Sequence, residues 1–472
     1  MELWTLDATA LAEAYDSGQT TPVDVVEALL VRIEQLNPLV NAFVALAPGC
    51  REHARESAER LKAGAPRGPL EGIPVAVKDS LCVAGMQASW GSPLFAGRIR
   101  EGDELPIRRL RDAGAIFVGK TNTPEFALEG YTANDLYGVT GNPWNPDLTP
   151  GGSSGGSVAA VAAGFVPVAI GTDGGGSIRR PAAYNGLFGL KPTIGRVPRD
   201  GGLPQLLLDF EVVGPFARSV NDCRLIYSVL AGADRHDPRS RRFCDSETGA
   251  DTEGDLRVLY VERIGGAPCD PHILASCAEA AENVRALGHD VTAGDLPFDL
   301  SGFNRFWMNI AQVGLARLHR DMPEMDEKAG SAFMAMAARG AAVPAAEFAA
   351  GLETIDRLRG DVSRMFADYD LVMMPACAAM PWPADTAWPD RIDGEEVGPR
   401  GHAVYTGWVN GCGHPAVAIP AQPAPDGMPI GFQLIGDLGS EVQLLSVAAD
   451  FEARIGGWKR WPDLDGRRVG QA

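Results

Sequence analysis

The sequence predicts one large α/β domain with helical insertions, on three observations. Short β-favouring runs alternate with segments of helical apolar period. No internal repeat and no clean interdomain linker interrupts the 472 residues. The stretch Gly151 to Ser177 carries two glycine-dense, serine-bearing turns on either side of the almost wholly apolar run Val158 to Ile170. A flexible Gly/Ser linker would not enclose such a run, which needs burial. Glycine allows close backbone approach and positive φ, so repeated glycines mark a place where N–H groups face a ligand or reacting atom.

The elements follow in order. Residues 1–64 read as helical: Asp7 caps a first short helix that stops at Gly18. Thr21-Pro22 opens a second, with Val25, Val26, Leu29, Leu30, Ile33 and Leu36 in register, and Asn37-Pro38 is expected to end it. A third covers Gly49 to Ala63. Ile73 to Lys78 is the first strand, ending in Lys78-Asp79-Ser80, whose successive side chains point to opposite faces. A helix at Pro106 to Ala113 leads to a strand at Ala115 to Val118, and Val166 to Ile170 is a third strand. Later come a helix at Ser219 to Leu230, an exposed acidic loop at Cys244 to Gly254, a strand at Leu256 to Val261, and a helix at His272 to Leu287. Residues 301–366 are mostly helical, with a patch of Phe306, Trp307, Met308, Phe333, Met334 and Met336 that reads as core before pocket. Strands at Leu371 to Met374 and Ala416 to Pro420, the segment Pro429 to Ile435 and a helix from Val442 to Arg454 close the chain.

Composition narrows the function. With 61 acidic against 42 basic residues the net charge is −19, the wrong sign for a nucleic-acid or anionic-membrane partner. The start, Met1-Glu2-Leu3-Trp4, shows no secretory pattern, and no apolar run approaches the ~18 residues of a membrane span. Eight scattered cysteines without a C-x-x-C pair read as reduced thiols and a cytoplasmic location. Seven dispersed histidines imply no metal, and no cofactor is expected.

Two motifs mislead. Gly114 to Thr121, GAIFVGKT, matches the phosphate-loop pattern in form and raises nucleotide binding as a rival from another class. The residues between its glycines are apolar and β-favouring, and Asn122-Thr123-Pro124 turns where the helix should run. Gly151 to Gly155 matches the nucleophile elbow G-x-S-x-G around Ser153, yet a proline- and asparagine-rich approach replaces the strand that elbow needs. Ser177 follows a strand through Gly171-Thr172-Asp173-Gly174-Gly175-Gly176, and is the better nucleophile candidate.

Lys78-Asp79, Gly119 to Asn122, Gly151 to Gly156, Gly171 to Pro181, Gly189 to Thr193, Asn410 to Pro420 and Gly431 to Gly436 together resemble the amidase signature family, most strongly over 70–200. That resemblance implies a mixed central sheet covered by helices (α/β/α) over 1–472, a signature core at about 70–200 and a helical insertion at about 300–366. It also implies a Ser–cisSer–Lys triad: Ser177 the acyl nucleophile, Ser153 the bridge, Lys78 the base. Gly174 departs from relatives that carry Thr or Ile there.

A serine hydroxyl needs an adjacent base. Lysine serves when burial lowers its pKa from about 10.4 toward ~7–8. Backbone N–H groups of Gly174, Gly175, Gly176 and Ser177 are the expected oxyanion donors. Ser154, Thr172, Asp173 and Arg179 are expected to hold the loops from behind, and an Asp173–Arg179 ion pair of purely structural role is an equal reading. Phe126, Ala127, Leu128, Gly130 and Tyr131, with parts of 301–340, are expected to bind the substrate's acyl part. The expected activity is a cofactor-independent amidohydrolase that cleaves a small-molecule carboxamide, ester or carbamate through a seryl acyl-enzyme. The rival within the family is the glutaminase component of a tRNA-dependent amidotransferase. Self-association into a homo-oligomer stays open.

Overall fold

The computed structural model describes residues 2–243, 254–455, 460–464 and 466. The acidic loop expected at Cys244 to Gly254 lies outside them, except for Gly254. A mixed sheet of eleven strands runs through the molecule. Across it the order is Phe43–Leu46, Ile116–Thr121, Pro74–Lys78, Val168–Asp173, Val212–Ala217, Phe188–Lys191, Ala416–Pro420, Gly431–Gly436, Leu371–Pro375, Arg257–Tyr260 and Asp290–Ala293. Helices pack on it, and those at Ser301–Asp321, Met325–Lys328, Ser331–Ala341 and Ala345–Asp368 lie in sequence between the strands Asp290–Ala293 and Leu371–Pro375. Among the described residues no helix is long and apolar enough to cross a membrane.

Ile116–Thr121, Pro74–Lys78 and Val168–Asp173 are parallel, with Val77 opposite Ile170. All their side chains are buried, as parallel strands covered on both faces require. Lys78 and Asp173 are the last residues of their strands, so both emerge at the carboxyl edge where open α/β sheets hold their ligands.

Four strands of this sheet escaped the sequence reading. Phe43–Leu46 falls within the stretch expected to be helical; it is short and caps the sheet's edge. Asp290–Ala293 is the opposite edge and buries only Val291. Phe188–Lys191 and Val212–Ala217 carry glycine or proline that mimics turn chemistry. Gly214 is there for close approach, since a Cβ on it would lie 2.0 Å from the Leu190 carbonyl oxygen. The second helix also runs past its expected end, through Pro38 to Val40. Its stop is instead made by Asn41 in the left-handed region (φ 49°), with the Asn37 side chain accepting from the Ala42 and Phe43 N–H groups.

Candidate active site

Gly151 to Ser177 is buried throughout, which removes the linker reading. Its first turn leads into the helix Gly155–Ala162, wholly buried and made of small residues. A Cβ on Gly156 would sit 2.3 Å from the Asn122 backbone nitrogen, so only glycine lets this helix lie against that loop. The Gly152–Ser153 peptide is cis. The second turn leaves the Val168–Asp173 strand, passes Ser177 and enters the helix Arg179–Asn185. Arg180 joins the two turns, donating to the carbonyls of Gly152 (3.3 Å) and Gly175 (2.7 Å) and to Thr406 Oγ1 (3.1 Å).

Lys78 has no exposed surface. Its Nζ donates to Ser153 Oγ at 2.8 Å and to Thr172 Oγ1 at 2.9 Å, and among the described residues no carboxylate is within ion-pairing distance. Burial pulls its pKa down to about 7, against the opposing fields of Glu211 and Asp173. Ser154 Oγ donates to the Thr172 carbonyl at 3.2 Å, fixing the first turn to the strand behind it.

Asp173 and Arg179 form a fully buried ion pair, Nε to Oδ2 at 3.1 Å. Asp173 also accepts from the N–H groups of Gly176 (2.7 Å) and Ile178 (3.0 Å) and from Asn410 Nδ2 (2.9 Å). Burial alone would raise its pKa; the Arg179 charge and these donors hold the carboxyl well below the usual carboxylate range. Arg179 reaches Gln433 Oε1, the Thr406 carbonyl and Asn410 Oδ1. Sequence reasoning did not single out Thr406, Asn410 or Gln433 as partners of this loop, because they lie more than 200 positions away.

The expected donor set needs one correction. Gly176 has φ 115°, and its N–H is already given to Asp173, so it is withdrawn from the row of free donors. Among the described residues, Gly174, Gly175 and Ser177 give their N–H groups to no acceptor. At Gly174 a Cβ would lie 2.3 Å from Leu207 Cδ1, so Leu207 occupies the room that a larger residue's side chain would take.

A cleft opens beside Ser177, lined by Ala127, Leu128, Glu129, Gly174, Gly175, Arg180, Leu207, Trp307, Met308, Ala311, Met336 and Arg400. Of the expected substrate residues, Ala127 and Leu128 line it and three do not. Phe126 packs edge-on between Trp90 and Phe333 (5.6 and 5.4 Å between centroids) and faces an adjoining hollow. Gly130 lies against His402, where a Cβ would come within 2.2 Å of Nε2, and Tyr131 backs Gly152 with its main chain. Phe126 and Ala127 both adopt positive φ (54° and 57°), so the chain reverses just before Leu128 and Glu129. The aromatic and methionine patch divides: Phe306 and Phe333 pack in the core away from the cleft, while Trp307 and Met336 belong to the core and also line the cleft with Met308. Arg400 and Glu129 were missed, having no motif to announce them; Arg180 lies within the Gly171 to Pro181 motif but was not singled out. A roomier surface hollow around Glu279, Asn283 and Gln422 shares no residue with this cleft and holds no comparable group.

The phosphate-loop match does not survive folding. Ile116–Thr121 is a buried strand, and Lys120 Nζ is held by Asp79 (3.2 Å) and the carbonyls of Leu81 and Gln87. Among the described residues no cluster of side chains could hold a metal ion.

Residues 24–445 match the family model described as Amidase. The chain is 33% identical to an acylamidase of Rhodococcus erythropolis, over 95% of each chain. It is likewise 33% identical to a component chain of the glutamyl-tRNA(Gln) amidotransferase of Alkaliphilus metalliredigens, over 96% of this chain and 97% of that one. A solved bacterial aryl acylamidase of the amidase signature family superposes with a TM-score of 0.88 at 29% identity, covering 98% of this chain and 99% of that one. Sheet, edge and buried turns agree with that kinship: the chain belongs to the amidase family, the amidase signature enzymes, and is an amide-hydrolysing enzyme.

Proposed function

We propose that Ser177 is the acyl nucleophile of this hydrolase, Ser153 its proton relay and Lys78 its base, acting on a small-molecule carboxamide in the cytoplasm. The observation that carries the reading is the company Lys78 keeps: a buried amine in contact with two hydroxyls and, among the described residues, no carboxylate. Such an amine can be neutral near pH 7 and accept a proton.

In the forward step Ser177 Oγ bonds to the amide carbon while its proton passes to Ser153 Oγ, whose own proton passes to Lys78 Nζ. The carbonyl oxygen becomes an anion facing the free N–H groups of Gly174, Gly175 and Ser177, each such donor contributing on the order of 10²–10³ in rate. The proton then returns along the same path to the leaving nitrogen, the C–N bond breaks, and ammonia or an amine departs. Water attacks the acyl-enzyme by the same relay and releases the acid. Thr172 and Ser154 keep Lys78 and the first turn in place, and the Asp173–Arg179 pair anchors the second.

An organofluorophosphonate tests this: the adduct should form on Ser177, and Ser177→Ala should abolish both labelling and amide turnover. Retained turnover in that variant would refute the assignment. A second reading, the glutaminase component of a tRNA-dependent amidotransferase, has the amidotransferase relative in its favour. Glutamine hydrolysis and tRNA-dependent transfer, assayed on the chain alone and with added partner proteins, separate the two.

A further inference from the structure

The cleft beside Ser177 is short of negative charge. Two guanidiniums line it, Arg180 and Arg400, against one carboxylate, Glu129. Both Nη atoms of Arg180 are committed, to the carbonyls of Gly152 and Gly175 and to Thr406, though its buried Nε has no partner among the described residues. The Arg400 side chain is different: among the described residues it has no hydrogen bond and no ion pair. Glu129 also makes neither, so the two charges share the cleft without touching. Arg400 stands close to the reacting end, since a Cβ on Gly175 would lie 3.4 Å from its Nη2. Nearby His402 is buried with both ring nitrogens unpartnered, and burial together with the Arg180 and Arg400 charges pushes its pKa well down. That neighbour is therefore neutral and offers no counter-charge.

Arg400 is half-buried at the rim of this cleft, and a guanidinium left there without partners has its donors free for a ligand that supplies acceptors. The best-matched acceptor is a carboxylate, which takes two parallel N–H donors. The remaining wall, Leu128, Leu207, Trp307, Met308, Ala311 and Met336, is apolar apart from one indole N–H. An acyl chain fits against it.

We infer that Arg400 is a specificity-determining residue, and that the preferred substrate is an amide whose acyl part carries a carboxylate a few bonds from the scissile carbonyl. This rests on Ser177 being the nucleophile, and it goes further by naming the substrate class. The carboxylate seats on Arg400, the methylenes lie along the Trp307 and Met336 wall, and the carbonyl reaches Ser177.

Dicarboxylic monoamides test it: malonamate, succinamate and glutaramate, each beside a neutral analogue of the same shape (4-methylpentanamide for succinamate). The wild-type enzyme should prefer at least one anionic member by about 10²-fold in kcat/KM, because a neutral group leaves the guanidinium unpaired. Arg400→Met should bring that ratio to unity or below. Glutarate should shield Ser177 from fluorophosphonate in the wild type and not in Arg400→Met, a readout that needs no turnover. No anionic preference in the wild type overturns the inference whether or not the variant folds. Equal losses on anionic and neutral amides in Arg400→Met also overturn it, since a group acting on the oxyanion or the fold would not discriminate. Failure of the underlying reading looks different: Ser177→Ala would still hydrolyse the monoamides.

Discussion

Two lysines emerge from adjacent parallel strands, both without exposed surface, and their partners separate them. Lys120 is held by the Asp79 carboxylate and two carbonyls, all of them acceptors only. Lys78 meets two hydroxyls, which an amine can satisfy equally well. Lys78→Met should therefore lower kcat by about 10²–10⁴-fold, the usual worth of a positioned base. Lys120→Met should instead act on the fold, because it strands a buried carboxylate at a cost of about 3–5 kcal/mol. Steady-state kinetics and urea unfolding of both variants check the contrast, and equal kinetic losses at unchanged stability would undo it. The pH dependence follows from the same burial. With the base usable only when neutral, kcat/KM should climb through an acidic limb near pH 7. Stability carries the matching sign. Between about 7 and the ordinary 10.5 of a lysine, the unfolded chain holds a proton that the native one lacks, so this group's contribution to stability rises with pH across that window. Below it both states are charged and the burial penalty is undiminished. Lys78→Met should flatten that rise, measured as unfolding free energy at pH 6 and pH 9.

At the scale of elements, the helix Gly155–Ala162 shows why so many small residues cluster here. It must fit between the sheet and the Asn122 loop, and Gly156 is where the backbones come closest. Gly156→Ala should lower stability by about 1–3 kcal/mol, since the obstacle is main chain and cannot swing aside. Chemical denaturation reads this, and an unchanged midpoint would show that the loop gives way. Much of this region was legible from sequence because its chemistry is local: glycines at turns, an apolar strand ending in lysine, serine after strand and turn. The strands Phe188–Lys191 and Val212–Ala217 were not, since Gly189, Gly214 and Pro215 signal turns locally and become intelligible only beside their sheet neighbours. The cleft was half legible. Ala127, Leu128 and the Trp307–Met336 wall lie in segments the sequence pointed to, whereas Arg400 and Glu129 carry no spacing signature. Phe126 looked like a pocket residue because aromatic side chains serve core and pocket alike. Packing between Trp90 and Phe333 turns it to the adjoining hollow and away from the cleft beside Ser177.

Across the whole molecule, the buried Asp173–Arg179 pair is the joint between the chain's two halves. Asp173 fixes the turn that presents Ser177, and Arg179 reaches Thr406, Asn410 and Gln433 on the segments that complete the sheet. The sheet itself passes from one half to the other where Phe188–Lys191 pairs with Ala416–Pro420. A chain so joined should unfold as one unit, with tryptophan fluorescence and loss of activity following a single thermal transition. Asp173→Asn tests the joint itself. It leaves Arg179 buried without its counter-charge, so the fold should lose about 3–5 kcal/mol at pH 7. The carboxyl is held below its ordinary 3.8, so its contribution is fully present above that value and drains away as pH falls toward the lower native pKa. The stability gap between wild type and Asp173→Asn, measured by urea unfolding from pH 7 downward, should therefore stay constant to about pH 4 and narrow below it. A gap that persists unchanged in more acid solution would mean that the native carboxyl is not held below 3.8, and that asparagine fails because its amide group cannot accept where a carboxylate oxygen does. The joint would then rest on acceptor count rather than on charge.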